Sequence, residues 1–112
     1  MSALTLSPVF NDLQPAIVWA HFARLCAIPR PSKSEARLRE HLQAWAEERG
    51  LTVLVDTVGN LIIRKPASIG REAVPGVVLQ AHLDMVCQKN AETAHDFTRD
   101  PISPVLRDGW LL

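Results

Sequence analysis

No long apolar run, no excess of either charge and no paired cysteines occur in this sequence, and each absence excludes something. The longest apolar stretches fall far short of the roughly 20 residues that a membrane-crossing helix needs. The opening MSALTLSPVFNDLQP has neither a basic leader nor an apolar core, so secretion and membrane spanning are not expected. Twelve Lys and Arg balance twelve Asp and Glu, leaving no global field to hold nucleic acid or an anionic membrane. Cys26 and Cys87 lie far apart and neither belongs to a CxxC pair. That removes a disulfide framework and a structural zinc knot, and the two read as reduced thiols of a cytoplasmic protein. Trp19, Trp45 and Trp110 are spaced as core anchors and not as a base-stacking platform. No repeat, low-complexity tract or interdomain linker interrupts the chain. What remains is 112 residues with 47% hydrophobic and 21% charged content, one domain's length of ordinary globular sequence with a modest core.

The order of elements follows from periodicity and punctuation. From Pro15 to Ala27, Val18, Phe22 and Leu25 recur at helical spacing, Pro15 suits a first turn and Pro29 stops continuation. After IPRPS, Ser32 and Glu35 have capping-box spacing, which predicts a second helix of about 17 residues starting there. Leu38, Leu42 and Trp45 would form its apolar stripe, Glu35 and Arg39 an i,i+4 pair, and Gly50 a left-handed C-terminal cap. LTVLVD and NLIIRK then alternate with period two about Thr57–Asn60, the pattern of a hairpin. A polar loop through Pro75 leads to GVVLQAH, whose nearly continuous apolar run predicts an interior strand covered on both faces. QKNAETAHDFTRDPISP has no sustained period and reads as an irregular surface excursion, and Asp108-Gly109 is a hairpin-turn dipeptide between PVLRD and WLL.

His82 and Asp84 are the pair with most chemical content, because they lie just past the best buried-strand candidate, where ligands gather in open α/β sheets. Spacing of two in extended backbone puts both side chains on one side, so the carboxylate can fix which imidazole nitrogen is free to bind a metal. From the triplet alone, a polar strand end that meets solvent remains the alternative. His21 and His41 fall within predicted helices without an i+4 histidine, and His95 precedes Asp96 in a loop where local backbone bonding accounts for it. Cys87 lies near the proposed site but reads as a small buried hydrophobe and not as a nucleophile or thiolate ligand, with no helix start to lower its pKa.

Longer strings add a family. VVLQAHLDMVCQKN resembles the first metal-ligand motif of the aminoacyl-histidine dipeptidases, a branch of the di-zinc exopeptidases, and IPRPSKSE, DTVGNLIIRKPA and HDFTRDPI match the same family in the same order. The resemblance implies two Zn2+ ions sharing a bridging water and carboxylate, with a separate glutamate as general base. Residue by residue, it makes His82 a ligand of one zinc and Asp84 the catalytic-site carboxylate that orients His82. The family's other ligands and its base have no counterpart before Leu112. The resemblance therefore casts residues 1–112 as the N-terminal portion of the catalytic domain, a fragment with weak or absent zinc binding and no hydrolysis of its own.

The fold class expected is α/β: two N-terminal helices on a layered sheet of LTVLV, NLIIRK and GVVLQA, closed by a terminal hairpin. The implied function is hydrolysis of dipeptides with C-terminal histidine by a cytoplasmic enzyme, with a small peptide as partner, no nucleic acid or membrane, and homodimerisation by family analogy. The alternatives are a non-catalytic binding or oligomerisation module built on the same fold piece, and a related di-zinc aminoacylase or tripeptidase.

Overall fold

The structure, a computed structural model, describes residues 5–112. The chain forms two compact units: the first runs up to Leu38 and resumes with Asp84–Leu112, and the second is Arg39–Leu83.

In the first unit a short 3-10 turn, Pro8–Phe10, precedes helix α1, Ala16–Ala27. The Ser7 hydroxyl accepts from the Val9 N–H at 3.4 Å and caps the turn, which delivers Phe10 to the core. Phe10, Ala23 and Cys26 are buried together, with Val9, Leu13, Trp19 and Leu111 packed around them. The Trp19 ring stacks on Phe10 at 5.7 Å, and Phe22 meets it edge-on at 5.6 Å. The buried face of α1 is thus Trp19–Ala23–Cys26, and the expected stripe of Val18, Phe22 and Leu25 is displaced by one residue, about 100° of helix. Val18 is exposed. Phe10 explains the rotation, because an aromatic ring coming from outside the helix fits over the small side chains of Ala23 and Cys26.

Helix α2 spans Ala36–Glu47, four residues later than the Ser32 start expected from sequence. Lys33 takes a left-handed φ of 73°, incompatible with a helical turn, and the Glu35 carboxylate accepts from the Lys33 N–H at 2.6 Å. Ser32 is engaged elsewhere. Leu38 and Ala46 are buried on α2, with Leu42 and Trp45 half-buried. The helix exits through Gly50 at φ 67°, where Leu51 N–H reaches the Ala46 carbonyl at 3.0 Å and Gly50 N–H that of Glu47 at 2.9 Å. This pair of bonds is the Schellman arrangement that a residue without a Cβ permits.

The second unit also holds the expected hairpin. Strands β1, Thr52–Val55, and β2, Leu61–Arg64, pair antiparallel with Val53 opposite Ile63 and Val55 opposite Leu61. Asp56 organises the turn, its carboxylate accepting from the Val58 and Asn60 N–H groups and from the Asn60 amide at 2.7–3.0 Å. The interior strand expected at GVVLQAH does not form: Val77, Val78 and Leu79 are 85%, 89% and 94% exposed. An interior strand requires hydrogen-bonded neighbours on both edges, and among the described residues no strand pairs with this segment. The expected layered sheet is accordingly two separate two-stranded sheets. The second is β3, Leu106–Arg107, with β4, Trp110–Leu111, joined in the first unit by Asp108 at φ 49° and Gly109 at φ 78°, the signature of a type I′ turn. The chain is of mixed helix and strand class.

Candidate functional site

The segment after α1 and the segment around Asp84 are brought together by a short parallel bridge, Pro31 to Met85. Met85 N–H donates to the Arg30 carbonyl at 2.9 Å and Ser32 N–H to the Met85 carbonyl at 3.2 Å. These two backbone bonds align Ser32 with Asp84, and the Ser32 hydroxyl donates to Asp84 Oδ2 at 2.5 Å. The hydroxyl oxygen also lies 3.3 Å from the Met85 carbonyl. A hydroxyl has one proton to give, and the shorter contact to a charged acceptor takes it.

Arg30 anchors this bridge to α1. Its guanidinium donates to the Leu25 carbonyl and, at 3.2 Å, to that of Ile28, covering orphan carbonyls where the helix ends. Burial lowers the Arg30 pKa, partly countered by Cys26; burial raises the Cys26 thiol, partly countered by Arg30. A thiol held in its neutral form behaves as a small hydrophobe.

The HDFTRDPI loop is held to the same unit by Ile102 N–H donating to the Cys26 carbonyl at 2.9 Å. Asp96 folds the loop on itself, accepting from Thr98 Oγ1 at 2.6 Å and the Thr98 N–H at 2.9 Å. Its own N–H donates to the Asp100 carboxylate at 2.7 Å. The Thr98 hydroxyl first, then the Thr98 N–H, hold the Asp96 carboxyl below the usual carboxylate range, with Arg99 and His95 adding to the effect. The Lys89 ammonium donates to the His95 carbonyl at 2.8 Å, and the His95 ring meets Phe97 edge-on at 4.8 Å. A small cavity of about 20 Å³ is lined by Arg30, Met85, Cys87, His95, Phe97 and Asp100.

Of the residues singled out from sequence, Asp84 is half-buried and bonded to Ser32, whereas His82 is exposed at the end of the 76–82 segment, which forms no strand. His21 and His41 are half-buried within α1 and α2, His95 supports its loop, and Cys87, expected to be buried, is exposed. Among the described residues no group of three or more His, Cys, Asp or Glu side chains gathers in a form that would hold a metal ion. The bond from Ser32 to Asp84 is the contact that spacing failed to reveal, because the capping-box position of Ser32 offered a local role. The signal lay in IPRPSKSE and the LDM of HLDM being matched together in the family strings, 52 residues apart in the bond they form.

Aligned with known proteins, the chain is 52% identical over 101 residues to the cytosol non-specific dipeptidase of Escherichia coli (strain K12), covering 90% of this chain and 21% of that protein. The crystal structure of aminoacylhistidine dipeptidase from Vibrio alginolyticus superposes with a TM-score of 0.86 at 49% identity, over 91% of this chain and 21% of the other. The chain matches part of a dipeptidase. No family model matches the sequence. The chain spans about a fifth of the length of these dipeptidase relatives. A weaker match, 39% identical over 62 residues, covers 55% of this chain and 17% of a putative LysW-lysine/LysW-ornithine hydrolase of Aeropyrum pernix. The dipeptidase resemblance read from four short strings thus extends over the body of the chain in both sequence and fold.

Proposed function

We propose that this chain is part of a cytoplasmic, zinc-dependent dipeptidase acting on dipeptides with C-terminal histidine. The observation that carries this reading is the 52% identity across 90% of the chain to a cytosol dipeptidase. The superposed Vibrio protein is an aminoacylhistidine dipeptidase, which supports the choice of substrate. Among the described residues no helix is long and apolar enough to cross a membrane, in keeping with a cytosolic setting.

In this reading His82 is a zinc ligand and Asp84 is the carboxylate that accepts the proton of its far nitrogen. Imidazole is a donor suited to zinc, and a carboxylate behind it fixes the tautomer and raises the basicity of the ligating nitrogen. A catalytic zinc takes about three protein ligands and keeps one open position, so the pair supplies one corner of a centre. When bound, the metal polarises the scissile carbonyl and lowers the pKa of its water. In this reading the chain contributes the His82 imidazole as ligand and the Asp84 carboxylate, which accepts from the Ser32 hydroxyl.

Release of histidine from a panel of aminoacyl-histidine dipeptides by the zinc-loaded, complete gene product tests the reading. Turnover of at least one member is expected, and failure on every member would refute it. The Aeropyrum match favours a second reading, in which the same fold piece serves a hydrolase of a different amide. Turnover of N-acyl amino acids with no turnover of dipeptides would establish that alternative.

A further inference from the structure

We draw no further inference here: the strongest candidate, the exposed apolar run Val77–Leu79 of the second unit, carries nothing, since among the described residues no strand pairs with it and nothing in the structure shows what covers it.

Discussion

At the scale of single residues, the difference between Ser32 as a helix cap and Ser32 as a partner of Asp84 is one of sequence separation. A capping box is a local pattern and can be seen in four residues. A hydrogen bond across 52 residues depends on which segments the fold brings alongside each other. The pairing of His82 with Asp84 is read from a spacing of two, which is a local signal, whereas the bond from Ser32 to Asp84 has no local signal. Phe10 presents the same contrast: nothing in its neighbourhood marks it as the centre of the α1 core, yet it is the aromatic on which Trp19 stacks and against which Ala23 and Cys26 are buried. Phe10→Ala should cost about 3–5 kcal/mol, as buried aromatic truncations do. Chemical denaturation checks this, and a loss below about 1 kcal/mol would mean that Phe10 is not central to the packing. Gly59 shows what backbone geometry demands. Its φ of 92° lies where side chains are strained, and an added Cβ would come within 2.5 Å of the Arg39 guanidinium. The arginine end can move, so the strain at φ dominates, and Gly59→Ala should destabilise the hairpin turn by about 1 kcal/mol or more. Loss of amide protection at Val55 and Leu61 in hydrogen exchange would register it.

At the scale of elements, those whose signals are local came through: the 3.6-period helices, the Gly50 exit, the β1–β2 hairpin and the Asp108-Gly109 turn. What sequence alone could not supply was the face an element turns inward and the number of partners a strand finds. Helix α1 is rotated by the arrival of Phe10 from outside it, and the apolar run at 76–82 signals burial but carries no information on which strands lie beside it. The β1–β2 turn makes a prediction in pH. The Asn60 side chain first, with the Asn60, Val58 and Gly59 N–H groups, holds the Asp56 carboxyl below its ordinary value. A carboxyl depressed in the folded state adds stability above the unfolded value of about 3.9, and that contribution disappears as pH falls through the folded value. The hairpin should therefore loosen on acidification from about pH 4 downward, seen as changing amide shifts at Val58–Asn60. Asp56→Asn should remove that dependence, and an identical acid transition in the variant would show that Asp56 is not its cause.

At the scale of the whole molecule, the donor count governs what the 112-residue polypeptide can do. In the proposed reading the chain supplies one imidazole ligand and one carboxylate beside it, too few for a tight zinc site. Calorimetric titration of this polypeptide with zinc should show weak or no binding; a tight site would mean that its ligands are drawn from residues other than the proposed pair. The exposed run Val77–Leu79 points the same way, since so much unpaired apolar surface belongs against something further. The resemblance to dipeptidases was legible in the strings because they combine residue order with spacing over nearly the whole chain, something that composition and periodicity do not reach. The most direct measurement compares histidine release from an aminoacyl-histidine dipeptide by the zinc-loaded complete gene product and by its His82→Ala variant. Loss of a metal ligand should lower kcat/KM by about 10³-fold or more, as expected when several kcal/mol of Lewis-acid stabilisation is withdrawn. Undiminished release by the variant would contradict the assignment of His82 to the metal centre.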